Sequence, residues 1–189
     1  MPSQDPSRCS RPDAIFVGFT GHIGAGKTTA AEYLRSRYGF QYERYSRVLQ
    51  DWYAWASPDR EALQQFGWEV MAGGRQVELN AHLIAGLGPL QSAAIDGLRH
   101  PIDFHSLSDA FGASFHLLFL DATAETRFRR EPRFSTYDAF LAADSQPVEA
   151  HIDSLRPLAA ATVPNEGSFA SFYHRLDDLL QEYRMGERT

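Results

Sequence analysis

One segment of the chain has the residue types and spacing needed to bind a chain of phosphates. Residues 21–28 have the sequence GHIGAGKT, which matches the pattern G-x-x-x-x-G-K-[ST]. Its glycines allow the backbone to curl so that successive N–H groups converge on one anion, and the helix that follows adds partial positive charge. In such a loop Lys27 reaches the β- and γ-phosphates, and the hydroxyl of Thr28 lies beside a Mg²⁺ ion.

The use of lysine supports the same chemistry. Lys27 is the only lysine among the 18 basic residues of the chain. Because a compact ammonium and a planar guanidinium are not interchangeable, a lysine in an arginine-rich chain marks a position that requires it. Thr29 is expected mainly to start the helix. The predicted phosphate contacts are Gly21, His22, Ile23, Gly24, Ala25, Gly26, Lys27, Thr28 and Thr29.

Length and composition exclude several other classes. The chain has 189 residues, 43% of them hydrophobic, so a single domain with a real core is expected. One cysteine, Cys9, supports neither a disulfide framework nor a cysteine-based zinc site. The net charge of −6 argues against a nucleic-acid partner. Apolar runs such as residues 14–17 are too short to span a membrane, and residues 1–13 are predicted to be a disordered tail. We expect a cytoplasmic monomer or homodimer.

The elements that position the phosphate-binding segment follow from the hydropathy pattern. Short apolar runs alternate with longer amphipathic stretches, which favours an α/β fold with a parallel sheet. Ligands of such folds bind at the carboxyl ends of the strands. Strands are predicted at 14–19, 40–45, 93–96, 115–120 and 160–163. Helices are predicted at 27–38, from Ser57-Pro58 to Gly73, and at 76–85, 102–111, 123–130, 137–143, 147–157 and 168–183.

The lysine count also narrows the class of phosphate-binding protein. A GTPase normally recognises guanine through an Asn/Thr-Lys-x-Asp segment, and no second lysine is present to form one. The chain is also short for a motor or an AAA-type ATPase. A small phosphotransferase is the class that remains.

Four segments resemble the nucleoside monophosphate kinase-like group, which includes deoxynucleoside monophosphate kinases and dephospho-CoA kinases. Residues 16–34 resemble the opening of these enzymes, and residues 95–101 (IDGLRHP) resemble their strand-end DG-x-R-x-P segment. Residues 121–130 resemble the strand leading into an arginine-bearing lid, and residues 163–168 resemble the last strand and its turn near the base. The resemblance covers most of residues 14–183, although only the phosphate loop is highly specific.

The resemblance implies both a fold and an activity. The fold is that of a P-loop NTPase, in which helices sandwich a five-stranded parallel sheet. A single domain at 14–185 carries a small lid around 127–145. The implied activity is transfer of the γ-phosphoryl group of ATP, with Mg²⁺, to a small acceptor, most often a (deoxy)nucleoside monophosphate. Together with the motif and the strand ends, the resemblance predicts the following roles: catalysis by Lys27, Asp96, Arg127 and Arg130, Mg²⁺ binding by Thr28, acceptor binding by Arg99 and secondarily by Arg47, and adenine binding by Asn165.

Several assignments leave alternatives open. Asp96 either supports Mg²⁺ or the acceptor, or only makes the turn before Gly97. The arginines of residues 127–133 either clamp phosphates or form a solvated helix face. If they clamp phosphates, either Arg130 or Arg133 contacts those of the donor. Asn165 either contacts adenine or is a turn residue. Four aromatic residues either stack on a flat base or pack beneath helices: Tyr45, Trp52, Tyr53 and Trp55.

The acceptor and the activity also have alternatives. Dephospho-CoA kinases carry an acidic D-x-D element after the second strand, whereas residues 42–47 here are YERYSR. This difference weakens the case for dephospho-CoA as the acceptor. Another small-molecule kinase is the first alternative. The second is a regulatory protein that binds a nucleotide without transferring its phosphate.

Overall fold

The computed structural model describes residues 14–54, 60–88 and 91–186. The predicted tail at 1–13, Trp55 and the helix start at Ser57-Pro58 lie outside these described residues. Within them, no helix combines the length and the apolar character needed to cross a membrane.

Five parallel strands and eight α-helices alternate along the described chain. The strands pair in the order β2-β3-β1-β4-β5, so the first strand is central. The strands are β1 Phe16–Thr20, β2 Gln41–Arg44, β3 Ala93–Asp96, β4 Phe115–Asp121 and β5 Ala161–Pro164. The helices are α1 Lys27–Tyr38, α2 Tyr45–Trp52, α3 Arg60–Ala72, α4 Gln76–Gly86, α5 Pro101–Phe111, α6 Ala124–Arg130, α7 Tyr137–Asp144 and α8 Phe169–Gly186.

The central strand separates two hydrophobic cores. Because successive side chains of a strand point to opposite faces, Val17 and Phe19 pack on one side of the sheet and Phe16 on the other. Helices α1 and α8 cover the first side, with Leu34 and Phe172 fully buried there. Helices α2 to α5 cover the second side. Both faces of the sheet are therefore buried, as parallel sheets require.

Two predicted elements differ from the structure. The segment 147–157 forms two 3₁₀ helices, Pro147–Glu149 and Ile152–Leu158, instead of one α-helix. Proline offers no N–H for the α-helical ladder, so the prolines at 147 and 157 favour short turns. Helix α2 was not predicted, because β2 was extended to Tyr45. Its apolar residues nevertheless follow the helical spacing i, i+3, i+4, i+7: Tyr45, Val48, Leu49 and Trp52.

The carboxyl ends of the strands lie at one edge of the sheet. The loop after β1 leads into α1, while Arg44 ends β2 and Asp96 ends β3. β1 and β3 are neighbours, yet the helix after β1 (α1) packs on one side of the sheet and the helix after β3 (α5) packs on the other. Such a switch in strand order creates a crevice, and this crevice receives the candidate site.

Candidate functional site

The phosphate loop has the backbone conformation that its glycines permit. Gly21, Gly24 and Gly26 have φ angles of 138°, 77° and 104°, which L side chains rarely adopt. A turn hydrogen bond from Ala25 N to His22 O (3.1 Å) closes the loop. Gly26 occupies the N-cap position of α1 and has no side chain to cover the first turn. The N–H groups at the start of α1 therefore suit an anion.

Lys27 and Thr28 follow the last glycine of the loop, and their polar side chains are held by hydrogen bonds. The Lys27 Nζ atom donates to the carbonyl oxygens of Gly21 and His22, within its own loop. Thr28 Oγ1 donates to Asp96 Oδ2 at 2.8 Å. The hydroxyl at the head of α1 and the carboxylate at the end of β3 are thus held in direct contact.

Asp96 is the hub of a polar cluster at the sheet edge. Its side chain is 7% exposed, and Oδ2 accepts a hydrogen bond of 3.1 Å from the Tyr42 hydroxyl. The Nε atom of Arg44 lies 3.8 Å from the same oxygen. Burial, followed by the charge of Asp96, raises the pKa of Tyr42 well above 10. Tyr42 therefore remains a neutral donor to Asp96.

The donor set fits Mg²⁺. Within the described residues no group of three or more His, Cys, Asp or Glu side chains could hold a metal ion. Mg²⁺ at phosphate sites usually takes only one or two protein oxygens and completes its shell with phosphates and waters. The adjacent oxygens of Thr28 and Asp96 match that requirement, and both residues line the same cavity.

A cavity of about 660 Å³ opens beside the phosphate loop. This volume falls in the range of small-molecule sites, roughly 300–1,000 Å³. From the loop the cavity extends to α2, α3 and α4 and to the 3₁₀ helix at Pro147–Glu149. Of the residues predicted from sequence, it is lined by Ile23, Gly24, Gly26, Lys27, Thr28, Thr29, Asp96, Arg99, Arg130, Arg133 and Asn165.

The structure places two predicted arginines differently from expectation. Arg47 does not line this cavity; its side chain is 70% exposed and lies 3.7 Å from Asp51 on the same helix. Arg44 lines the cavity in its place. Arg99 does line the cavity, but its Nε atom donates to Glu149 Oε1 at 3.0 Å. A negative partner therefore already neutralises the arginine expected to hold the acceptor phosphate.

Arg127 supports the phosphate loop from outside the cavity. Its guanidinium donates to the carbonyl oxygens of Ala122 and Ile23 and forms two bonds of 2.8 Å with Asp144. The side chain is 7% exposed. These contacts occupy the guanidinium with protein groups, so they favour a positioning role over the catalytic role predicted for Arg127.

Arg130 and Asn165 contact each other at the mouth of the cavity. Arg130 Nη1 donates to the carbonyl oxygen of Asn165 at 2.6 Å, and Asn165 Nδ2 donates to Ala25 O at 3.0 Å. The Asn165 side chain therefore braces the phosphate loop. Adenine binding by Asn165 and phosphate binding by Arg130 remain predictions.

The other predicted residues have structural contacts. His22 lies outside the cavity lining, with Nε2 3.1 Å from Asp153 Oδ1. The hydroxyl of Tyr45, a buried cavity-lining residue, donates to Asn80. Trp52 packs on His82, and the ring of Tyr53 contacts Phe66 edge to face. Of the two interpretations of these aromatic residues, the structure shows packing for the three it describes.

Among the cavity residues that were not identified from the sequence are Arg44, Gln64, Gln76 and Glu149. Arg44 ends β2, so the rule that ligands bind at strand ends could have selected it over Arg47. The other three lie in a helix interior, at a helix start and in a 3₁₀ turn, and no motif marks them.

Comparisons with known proteins bear on the fold. No protein-family model matches the chain, and no curated protein matches it. Several solved structures are similar to it. One is a shikimate kinase from Acinetobacter baumannii in complex with shikimate, which is 17% identical and has a TM-score of 0.57. The alignment covers 89% of this chain and 94% of that chain.

Two further solved structures have similar scores. An APS kinase from Mycobacterium tuberculosis, in complex with AMPPNP and APS, is 18% identical, with 90% and 99% of the two chains covered and a TM-score of 0.58. A sugar kinase from Janibacter sp. HTCC2649, unliganded, is 16% identical, with 86% and 92% covered and a TM-score of 0.53. These similarities confirm the predicted fold: the chain has the five-stranded, helix-flanked parallel sheet of P-loop kinases.

Proposed function

We propose that this protein is an ATP- and Mg²⁺-dependent kinase that phosphorylates a small molecule. One observation carries the proposal: Thr28 and Asp96 are hydrogen-bonded at the phosphate loop and line a cavity large enough for a small molecule. The similar structures support it, since their names describe kinases for shikimate, APS and a sugar. A phosphate loop that opens on such a cavity suits transfer better than simple storage of a nucleotide.

The residues of the loop have distinct tasks in this proposal. The loop N–H groups and Lys27 bind the phosphate chain of ATP, and positive charge near the γ-phosphate stabilises charge that develops during transfer. Thr28 and Asp96 would hold Mg²⁺, which would neutralise negative charge on the phosphates. The acceptor hydroxyl oxygen forms a bond to the γ-phosphorus, the bond to the β–γ bridging oxygen breaks, and the hydroxyl proton is released to solvent.

The identity of the acceptor is a finer question. A nucleoside monophosphate remains the prediction from sequence resemblance. Its phosphate dianion needs unpaired cationic side chains, yet Arg47 lies outside the cavity, Arg99 is paired with Glu149, and Arg44 lies 3.8 Å from the carboxylate of Asp96. These contacts favour an acceptor with less negative charge.

Replacement of Lys27 tests the proposal. Lys27→Ala should lower ATP-dependent phosphorylation of an acceptor panel, followed as ADP release, by about 100-fold or more, because one transition-state cation is lost. Lys27→Arg should also lose most activity, since the planar guanidinium does not replace the point charge. Circular dichroism should show an intact fold in both variants. Unchanged turnover in Lys27→Ala would refute the kinase, and ATP binding without product from any acceptor would support a regulatory protein instead.

A further inference from the structure

Outside the phosphate loop the cavity is lined by an apolar set of side chains, here called the walls, and a polar set, here called the floor. We call this part of the lining the acceptor pocket. Its apolar residues come from α2, α3, α4 and the 3₁₀ helix: Leu49, Leu63, Met71, Leu79 and Val148. The polar residues of its floor are Gln64, Gln76, Arg99, Asp103 and Glu149. A mainly apolar pocket with a few fixed polar groups is the usual design of a small-molecule site, in which the polar groups set specificity.

Glu149 has a carboxylate oxygen with no partner. Its side chain is 1% exposed, and Oε1 accepts the hydrogen bond from Arg99. Its other oxygen, Oε2, is buried and has no hydrogen-bond partner among the described residues. Leaving a buried charged oxygen unsatisfied costs several times what a typical hydrogen bond contributes. Oε2 has almost no accessible surface in this structure, so the Glu149 side chain must turn toward the cavity that it lines before a ligand donor can reach this oxygen and remove that cost.

Two glutamine side chains of the floor also have amide atoms without hydrogen-bond partners among the described residues. Gln76 Nε2 donates to Asp103, whose other oxygen accepts the backbone N–H groups of Arg99 and His100 at 2.9 Å. Because Asp103 can only accept in this arrangement, the orientation of the Gln76 amide is fixed, with its nitrogen toward Asp103. Its oxygen, Oε1, is buried and has no hydrogen-bond partner among the described residues. Gln64 Nε2 is likewise buried and unpartnered there. The floor thus offers two acceptors and one donor.

The charge of the floor limits the ligand further. Arg99 and Glu149 form a pair with no net charge, and Glu149 has a spare oxygen that would repel a phosphate dianion. A hydroxyl group, by contrast, donates one hydrogen bond and accepts others. Two hydroxyls could donate to Glu149 and Gln76 while one of them accepts from Gln64.

We infer that the phosphoryl acceptor is a small uncharged or singly charged compound with several hydroxyl groups, one of which donates to Oε2 of Glu149. Glu149 is then the residue that determines specificity, with Gln64 and Gln76 beside it. The inference rests on the proposed function, because only a kinase has an acceptor. It also requires binding in the acceptor pocket, which can be measured without any transfer.

The test uses the full chain and two groups of compounds. The first contains sugar alcohols, sugar acids and hydroxylated ring acids, and the second contains AMP, UMP, dCMP and dTMP. Saturation-transfer NMR without ATP measures binding, and ³¹P NMR with Mg²⁺ and ATP measures phosphomonoester product. We expect members of the first group to bind and to be phosphorylated, and the nucleotides to do neither.

Variants then locate the binding site. Glu149→Gln keeps a carbonyl oxygen for Arg99 and puts an amide nitrogen, which cannot accept, at the position of Oε2, so it should raise KM for the acceptor about 10-fold or more while kcat changes much less. Gln64→Met removes an unpartnered buried donor without changing the shape of the side chain. It should raise KM while leaving the melting temperature unchanged or higher, a combination that a purely structural role would not produce. Glu69→Gln makes the same chemical change at an exposed position of α3 and is the control.

Three other outcomes would each contradict either this inference or the proposed function. Phosphorylation of nucleotides with no binding of the hydroxylated compounds would overturn this inference and keep the kinase. Unchanged KM in both Glu149→Gln and Gln64→Met would also overturn it. Binding of hydroxylated compounds by a protein that transfers phosphate to none of them would contradict the proposed kinase and leave only a binding site.

Discussion

Arg127 and Asp144 hold both backbone polar groups of Ile23, in the middle of the phosphate loop. Arg127 Nη1 donates to the Ile23 carbonyl at 2.9 Å, and Asp144 Oδ1 accepts the Ile23 N–H at 3.2 Å. Two further bonds of 2.8 Å join the guanidinium to the carboxylate. Helices α6 and α7 are thereby tied to the loop, and its shape depends on an ion pair from elsewhere in the chain.

Removal of this carboxylate should cost much stability. Arg127 and Asp144 are only 7% and 11% exposed, so Asp144→Ala leaves a guanidinium buried beside carbonyls without its counter-charge. We expect the free energy of unfolding in urea to fall by about 3 kcal/mol. Asp51→Ala removes the pair with Arg47, whose members are about 70% exposed, and should cost at most about 0.5 kcal/mol. Equal losses in the two variants would contradict the supporting role.

Gly24 and Gly39 form a matched pair for testing the loop. Their φ angles are 77° and 71°, so replacement by alanine carries a similar backbone cost of about 1 kcal/mol at each. A Cβ on Gly39 would meet nothing within 4 Å, whereas one on Gly24 would lie 2.7 Å from the Arg127 carbonyl oxygen. Gly24→Ala should therefore lose more stability and should also weaken MgATP binding, measured by titration calorimetry. Similar ATP affinity in both variants would contradict the proposed geometry.

Arg44 and Arg47 distinguish the structural candidate from the sequence candidate. Arg44 lines the cavity near Asp96, while Arg47 is exposed on α2. In the proposed function Arg44 lies near the transferred phosphate, so Arg44→Ala should lower kcat/KM for transfer at least about 10-fold. Arg47→Ala should change it less than about 2-fold. Initial rates of ADP release decide the matter, and the reverse ranking would restore the interpretation made from sequence.

His116 should make stability depend on pH. Burial lowers its pKa below 6.5, and its ring stacks on Tyr183 with centroids 3.7 Å apart. As the pH falls below 6.5, the unfolded chain binds the proton first, so stability is lost until the pH passes the folded-state pKa. His116→Phe keeps the stacking without the titration. From about pH 7 to 5.5, urea unfolding should weaken more in the wild type than in the variant; parallel pH profiles would contradict this.

The sequence was sufficient for the parts of the site that backbone chemistry determines. In the proposed function the glycines, Lys27 and Thr28 all serve one phosphate chain, so their spacing is fixed and a local motif contains them. Asp96 was found because it ends a strand, and strand ends share one edge of a parallel sheet. Both inferences require only local sequence and the fold class.

The acceptor pocket could not be inferred in this way. Glu149 meets Arg99 across 50 residues of sequence, and Gln76 meets Asp103 across 27, so no local spacing records these contacts. Arg127 shows the converse: its position in an arginine-rich helix suggested a phosphate clamp, but Asp144 lies close enough to bind it. Which partner a long charged side chain selects depends on tertiary packing, and one sequence does not display that packing.

The central position of β1 has a consequence for biosynthesis. This strand leaves the ribosome early, yet its two neighbours in the sheet are β3, Ala93–Asp96, and β4, Phe115–Asp121. The middle of the sheet therefore cannot close until more than half of the chain has been translated. The apolar Phe16–Thr20 segment has no strand partner until β3 emerges, and one of its edges stays unpaired until β4 emerges. Such pairing between distant segments slows folding and invites aggregation. The nascent chain should thus be most vulnerable, and most dependent on chaperones, before Asp121 emerges.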